Sequence, residues 1–321
     1  MSYVIAHRGA SFHAPENTLS AFRKAMELGA DGIETDVQIT ADGRLVILHN
    51  YHVDLTTFET GRVVELTLDQ LRQMDFGIRK GPEFAGETIA TLDEALEVVK
   101  PMRVVNVELK APADRSIPFV ERVVESVKAH GMTDNVIISS FQHDLLRQVK
   151  ELCPQLRVGV LTFPPLPEGN PWFRLLEALT PEGVPLGEID LNGLTVPAEA
   201  AAAFGGGGMG EVQAREVLCT IMALYPDAAG KEAVVRMQEQ RDIPAYLDTL
   251  DFPVDYLHPH YLSLLQDETI LPKMKEKGIG VSPWTVDGEA EMAKLDGPCC
   301  GLITNRPDLL LEMQGRAKNK E

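Results

Sequence analysis

Short apolar segments alternate with amphipathic segments along most of the chain, and this alternation constrains its fold more than any other feature. Residues 3–7 and 32–37 are typical of buried strands, whereas residues 18–28 have helical spacing and end at Gly29. Strands that alternate with helices predict a parallel sheet with helical crossovers. About eight such units in one chain favour an α/β fold of the TIM (β/α)8 barrel type over an open sheet.

We expect one barrel domain over residues 1–321 that is interrupted in its second half. Residues 164–250 are too long for one crossover and are rich in Pro, Gly and Ala, so they predict a longer helical insertion. Such an insertion either shapes the substrate site as a lid or decorates the periphery of the barrel. Trp172, inside this insertion, is either a substrate contact or a packing anchor, and we favour packing.

The charge balance excludes several classes of function. The chain has 30 Lys and Arg against 48 Asp and Glu, a formal net charge of −18, and it has no Lys/Arg-rich run. Nucleic-acid partners and anionic lipid surfaces are therefore disfavoured. Four cysteines without a CxxC pair and the absence of a visible signal peptide predict a cytoplasmic protein. No apolar run is long enough to predict stable membrane insertion, and the oligomeric state stays open.

Ionisable residues cluster where predicted strands end, as they do in barrel enzymes. Glu34 and Asp36 share one face of a strand, and Glu108 and Lys110 share one face of another. Carboxylates inside a barrel are costly without a cation, and a hard divalent ion with oxygen ligands suits them. Glu108 would then be a third carboxylate and Lys110 a phosphate contact. The alternatives are a solvent-facing acidic pair and a Glu–Lys surface pair.

Two histidines lie close to these carboxylates in the predicted arrangement. His7 ends the first strand and is followed by Arg8, a residue type that binds phosphate with two N–H groups. Asp42 and Gly43 predict a two-residue hairpin loop, and this register would place His49 opposite Asp36, roughly 5 Å away between Cβ atoms. Without that register, His49 lies at the end of a strand, and its imidazole is capped by a backbone carbonyl.

Taken together, two imidazoles, three carboxylates, an Arg and a Lys suit metal-assisted cleavage of a phosphodiester. One imidazole would take a proton from the nucleophile, and the other would give a proton to the leaving alkoxide. Either water or a neighbouring substrate hydroxyl attacks phosphorus, and the second route passes through a cyclic phosphate.

The motifs that carry these residues resemble those of one known family. The chain contains HRG at residues 7–9, PENT at 15–18, ETD at 34–36 and NVELK at 106–110. Weaker C-terminal motifs follow in order: SSF, HPHY, PWTVD and GLITNRPD. This ordered set resembles the glycerophosphodiester phosphodiesterases, and the resemblance covers residues 2–163 and 255–311.

The resemblance implies a TIM barrel and hydrolysis of glycerophosphodiesters to sn-glycerol 3-phosphate and an alcohol. It also implies one divalent cation (Mg²⁺, Ca²⁺ or Mn²⁺) and a small capping insertion at residues 51–87, after the strand of the second catalytic His. The implied roles fall into four groups, which are catalytic His7 and His49, metal ligands Glu34, Asp36 and Glu108, phosphate contacts Arg8 and Lys110, and Trp284 and Glu16 at the substrate.

One position departs from the family pattern, because Asn50 stands where the family usually has Asp. We expect a small-molecule phosphodiester such as glycerophosphocholine to be the substrate. The alternatives are a related phosphodiesterase that acts on lysophospholipid or polymeric glycerol phosphate, and a barrel that binds a phosphodiester without turnover.

Overall fold

The predicted barrel is confirmed in a computed structural model that describes residues 1–110, 112, 114–163, 184–186, 218 and 220–317. Its strands are Tyr3–His7 (β1), Gly32–Ile39 (β2), Leu45–Ile47 (β3), Val104–Leu109 (β4), Val136–Ser140 (β5), Arg157–Thr162 (β6), Tyr256–Pro259 (β7), Gly280–Val281 (β8) and Gly301–Thr304 (β9). All except β3 run parallel, in the order β8-β7-β6-β5-β4-β2-β1-β9. The amides of Cys300 and Ile303 donate to the carbonyls of Val281 and Pro283 and join the two ends of this sheet.

Helices follow the strands and cover the outside of the barrel. The α-helices described are Leu19–Leu28, Leu68–Leu71, Leu92–Val99, Phe119–Ala129, His143–Leu152, Gly230–Glu239, Ile243–Leu247, Tyr261–Gln266, Ile270–Lys277, Glu289–Leu295 and Pro307–Met313. Short 3-10 turns lie at Val53–Leu55, Val63–Glu65 and Pro82–Phe84. Among the described residues, no helix is long and apolar enough to cross a membrane.

The helix Leu92–Val99 shows how local sequence sets these elements. Thr91 accepts a hydrogen bond from the Glu94 amide, and Glu94 reaches back to the Thr91 amide, so the two residues form a capping box. Leu96 and Val99 lie on the buried face of the helix and pack in the main core. Burial of each such side chain contributes about 1.5–3 kcal/mol to stability.

The hairpin between β2 and β3 corrects the predicted register. Val37 pairs with Ile47, so Asp36 lies opposite Leu48 rather than His49. The physical reason is the loop, in which the Thr40 amide donates to the Arg44 carbonyl and three residues rather than two make the turn. Gly43 takes a left-handed φ of 73° there, as the last residue of a three-residue hairpin loop commonly does. His49 therefore reaches the site from the loop after β3.

The parallel register of β2 and β4 positions the acidic residues. Glu34 pairs with Asn106, and Asp36 pairs with Glu108. Asp36 and Glu108 lie in the carboxyl-terminal halves of the two strands, and side chains on the same face of neighbouring strands are close. The barrel therefore brings acids that are far apart in sequence to one mouth of the barrel.

The predicted insertion at residues 164–250 lies largely outside the described residues, as does Trp172. Its described part includes the helices Gly230–Glu239 and Ile243–Leu247. A second apolar cluster, which we call the outer cluster, forms around this part. Its buried members are Leu186, Leu218, Ile221, Met222, Tyr225, Ala228, Ala233, Val234 and Met237, and Tyr51, Phe163 and Leu224 pack against them.

Candidate active site

Three carboxylates converge at the mouth of the barrel. Glu34, Asp36 and Glu108 each supply an oxygen, and these three atoms lie within 4.8 Å of one another. All three residues are buried. Oxygen ligands at this spacing, supplied by two adjacent strands, suit a hard divalent cation.

The electrostatics of this set also fit a cation. Burial and the neighbouring Asp36 raise the pKa of Glu34 well above its ordinary value, and burial is the main cause that raises the pKa of Glu108 to about 7. Burial acts in the same direction on Asp36, but the neighbouring His49, Lys110 and Arg8 outweigh it and hold its pKa well below the usual range. A bound divalent cation would keep all three acids ionised. The buried Asp36 Oδ1 atom accepts no hydrogen bond from the described residues, which leaves it available as a ligand.

Two cations flank the carboxylates. Lys110 Nζ lies 2.6 Å from Glu108 Oε1 and 3.5 Å from Asp36 Oδ1. Arg8 Nη1 donates to Glu16 Oε1 over 2.9 Å, and Arg8 Nε lies 3.6 Å from Asp36 Oδ2. Together with a bound divalent cation, Arg8 and Lys110 would make this mouth attractive to a phosphate group despite the acidic chain as a whole.

The PENT motif supplies a residue that the sequence analysis missed. Asn17 donates to Asp36 Oδ2 over 2.8 Å and accepts from Thr35 Oγ1 over 2.8 Å. Its φ of 57° is left-handed, a conformation that Asn tolerates better than most residues. Thr18 caps the helix that follows, so the motif turns the chain, starts a helix and orients a predicted metal ligand within four residues.

His7 is held by a chain of hydrogen bonds that ends in a carboxylate. Its Nδ1 atom lies 2.7 Å from Asn305 Oδ1, and its Nε2 atom lies 3.7 Å from Glu34 Oε2. Asn305 donates from its backbone amide to Asp287 Oδ1 and from Nδ2 to Asp287 Oδ2, over 2.8 and 2.7 Å. An ionised carboxylate only accepts hydrogen bonds, so the Asn305 oxygen must face His7. His7 therefore carries its proton on Nδ1, which leaves Nε2 as the proton acceptor.

His49 has a parallel arrangement with a different partner. Its Nδ1 atom lies 2.7 Å from Oδ1 of the buried Asn50. Gln38 donates from Nε2 to the Asn50 carbonyl over 2.7 Å and fixes that backbone. Asn50, the departure from the family pattern, thus keeps a hydrogen-bonding role toward the imidazole without adding a negative charge.

Both imidazoles favour the neutral form. Burial, with Arg8 second, lowers the pKa of His7 to about 4. Burial, followed by Arg8 and Lys110, lowers the pKa of His49 well below its ordinary value. A neutral imidazole accepts a proton, and an anionic phosphate beside it stabilises the protonated form.

The structure brings most of the predicted site residues to one cleft of about 410 Å³. Those that line the cleft are His7, Arg8, Glu34, His49, Glu108, Lys110 and Trp284. Asp36 lies behind them, fully buried, whereas Glu16 lines a neighbouring pocket that shares Arg8 and His49 with the cleft. Residues that the sequence analysis did not assign also line the cleft, and these are Asn106, Phe141, Leu161, Phe163, Thr220, Ile221, Met237, Thr285 and Ile303. Phe141 belongs to the SSF motif, and this motif could have indicated that Phe141 lies at the site. Ile221 and Met237 lie in a segment without a recognisable motif.

Solved structures share this fold. A phosphodiesterase from Oleispira antarctica in complex with the product sn-glycerol-3-phosphate matches with a TM-score of 0.67 and 24% identity, over 98% of this chain and 97% of that one. A glycerophosphodiester phosphodiesterase from Agrobacterium tumefaciens matches with a TM-score of 0.62 and 20% identity, over 97% of this chain and 100% of that one.

Curated relatives match the sequence over part of their length. A glycerophosphodiester phosphodiesterase from Caldanaerobacter subterraneus is 46% identical over 159 residues, which are 49% of this chain and 65% of that protein. One from Bacillus altitudinis is 35% identical over 180 residues, which are 56% of this chain and 74% of that protein. The model of the glycerophosphoryl diester phosphodiesterase family matches residues 7–258, well over half of the chain. The chain therefore belongs to the glycerophosphoryl diester phosphodiesterase family.

Proposed function

We propose that this protein hydrolyses glycerophosphodiesters to sn-glycerol 3-phosphate and an alcohol, with the aid of one divalent cation. The observation that carries the proposal is the convergence of two imidazoles, two cations and three carboxylates at the mouth of the barrel. The curated relatives named as glycerophosphodiester phosphodiesterases support the same activity.

Glu34, Asp36 and Glu108 would hold the cation, and Mg²⁺, Ca²⁺ and Mn²⁺ are the candidates. When bound, the cation stabilises negative charge on the phosphate oxygens. Arg8 and Lys110 bind the non-bridging oxygens and stabilise the charge that develops on them. These two groups also orient the phosphate toward the histidines.

The histidines move the protons. One imidazole, at its Nε2 atom, takes a proton from the attacking water as the water oxygen bonds to phosphorus. The phosphorus–oxygen bond to the alcohol breaks, and the other imidazole, which is protonated once the anionic substrate is bound, gives its proton to the leaving alkoxide. Water thus adds across one ester bond, and acid–base groups of this kind contribute about 10²–10⁴-fold each to the rate.

Residues outside the reacting centre give the substrate its surroundings. The segment 51–87 supplies Thr56, Phe76, Arg79 and Lys80 to the pocket beside Arg8 and His49, which supports its role as a cap. Trp284 forms one wall of the cleft, and Glu16 supports the substrate indirectly through Arg8. We assign the activity to cytoplasmic turnover of lipid head-group diesters, with glycerophosphocholine as the reference substrate.

The test is release of glycerol 3-phosphate from glycerophosphocholine by protein stripped of metal and then given Mg²⁺, Ca²⁺ or Mn²⁺. We expect activity only with added cation, and His7→Ala to lower kcat about 10²–10⁴-fold. His13→Ala is the matched control, because His13 lies near the motif but does not line the cleft. Activity that survives both metal removal and His7→Ala would disprove the proposal.

A further inference from the structure

One wall of the cleft is apolar. Three half-buried aromatic side chains form a row along this wall. Phe163 stacks on Phe141, with 4.8 Å between the ring centroids, and Phe141 contacts Trp284 edge to face, with 5.5 Å between the centroids. Leu161 lies on the same wall. The wall residues line the same cleft as the predicted catalytic groups. A substrate group that packs against the wall can therefore belong to the same molecule as the reacting phosphate.

The outer cluster extends the same wall. Ile221 and Met237 are members of the outer cluster that also line the cleft, and Phe163 packs against the cluster. A cleft of about 410 Å³ falls in the range of pockets that enclose drug-sized ligands, roughly 300–1,000 Å³. A small hydrophilic diester has little apolar surface to bury against such side chains, so the wall contributes little to its binding.

The chemistry of the wall favours a hydrocarbon over a quaternary ammonium group. A cation is bound by the open faces of aromatic rings. Here Phe141 and Phe163 stack with an interplanar angle of 29°, so each ring covers one face of the other. The aliphatic side chains of Ile221 and Met237 carry no ring quadrupole, whereas they bury methylene groups well.

The reacting centre also borders a second pocket that is more polar than the cleft. This pocket of about 390 Å³ shares Arg8 and His49 with the cleft and is lined by Ser11, Thr56 and Lys80 among others, beside a few apolar side chains. The reacting centre thus lies between a polar compartment and an apolar one. A phosphodiester that is itself amphiphilic matches this division.

We infer that the substrate is a glycerophosphodiester that carries one hydrocarbon chain, as a lysophospholipid does, and that its chain lies along the wall formed by Phe141, Phe163, Ile221 and Met237. This inference rests on the proposed function and names the substrate class of the same site. The glycerol and its chain face the apolar cleft, and the head-group alcohol leaves through the polar pocket. Hydrolysis then yields the chain-bearing glycerol phosphate and the free head-group alcohol.

The experiment compares glycerophosphocholine with a series of short 1-O-alkyl lysophosphocholines that stay monomeric in water, and it measures choline release with added cation. We expect kcat/KM to rise about fourfold for each added methylene, the factor that corresponds to a buried methylene group. A flat or falling series, with glycerophosphocholine still hydrolysed, would overturn the inference and leave the proposed function standing. No choline release from any member would overturn both.

A pair of variants ties the effect to the wall. Met237→Ala removes a side chain that lines the cleft, and Met222→Ala removes an equally buried one from the outer cluster that does not line it. We expect Met237→Ala to lower the long-chain to no-chain ratio of kcat/KM several-fold and Met222→Ala to preserve the ratio. Equal ratios in the two variants would contradict the placement of the chain. Thermal midpoints show that both proteins fold.

Discussion

At the scale of single residues, the site is organised by amide side chains rather than by additional charges. Asn17, Asn50 and Asn305 each contact a residue with a predicted role in metal binding or catalysis. An amide offers a donor and an acceptor without a net charge, so it orients a side chain without adding to the charge of the site. Asp36 and His7 thus keep their positions in a mouth that is crowded with charge.

The Asp287–Asn305–His7 chain leads to a prediction. Asp287→Asn leaves the Asn305 amide free to turn, and its Nδ2 atom then faces His7 and favours the wrong tautomer. We expect kcat for glycerophosphocholine to fall about 10–100-fold with KM nearly unchanged, since supporting hydrogen bonds commonly have effects of this size. Steady-state kinetics give both constants, and ¹⁵N chemical shifts of His7 report the tautomer.

Thr304→Val is the matched control for this prediction. Thr304 Oγ1 also donates to Asp287 Oδ1, over 3.0 Å, but it does not contact the Asn305 amide. We expect near-normal kcat and a normal His7 tautomer. If Asp287→Asn and Thr304→Val lose activity equally while the tautomer is unchanged, Asp287 has only a structural role.

At the scale of elements, sequence patterns predicted the strands and helices well and the connections poorly. The capping box at Thr91 follows from local sequence alone, because its partners lie three residues apart. The β2–β3 register was wrong by one residue, because Asp42-Gly43 suits both a two-residue and a three-residue loop. The apolar wall was not predicted, because Ile221 and Met237 meet Phe163 only through tertiary packing.

The turn at PENT gives a prediction about metal binding. Asn17→Gly retains the left-handed φ of 57° without strain but removes the amide that donates to Asp36. We expect affinity for Mn²⁺ to fall about 10–100-fold, as measured by titration calorimetry on protein stripped of metal.

Asn17→Ala separates the two roles of this residue. It removes the same amide and adds the cost of a left-handed backbone, about 1–2 kcal/mol. We therefore expect equal metal affinity in the two variants and lower thermal stability in Asn17→Ala. Wild-type affinity in Asn17→Gly would show that the amide does not support the metal ligand.

At the scale of the whole molecule, the first and last strands meet. β1 pairs with β9, and Arg316 forms two hydrogen bonds of 2.8 Å with the Asp31 carboxylate. In a barrel that closes through its first and last strands, the pairing of these two strands forms only after the intervening units have folded. The (β/α)8 fold was predictable because its units repeat, whereas the packing of the outer cluster on the barrel was not.

The helix Ile243–Leu247 is joined to the barrel through a buried histidine. The Nε2 atom of His143 lies 2.9 Å from the Leu161 carbonyl of β6, and its Nδ1 atom lies 2.6 Å from the Tyr246 hydroxyl of the helix Ile243–Leu247. Burial lowers the pKa of His143 to about 4. The contact therefore depends on a neutral imidazole.

This buried imidazole predicts acid sensitivity of the whole fold. Between pH 6.5 and about 4 the unfolded chain binds a proton at His143 that the folded protein does not, so stability falls as the pH falls. The difference amounts to about 3 kcal/mol at most, from roughly 1.4 kcal/mol for each pKa unit. His143→Gln removes this titration, and urea unfolding at a series of pH values should show a shallower loss of stability. Tyr246→Phe keeps the imidazole and should lower stability at every pH with the slope unchanged. If the His143→Gln curve runs parallel to that of the wild type, the acid sensitivity arises elsewhere in the barrel.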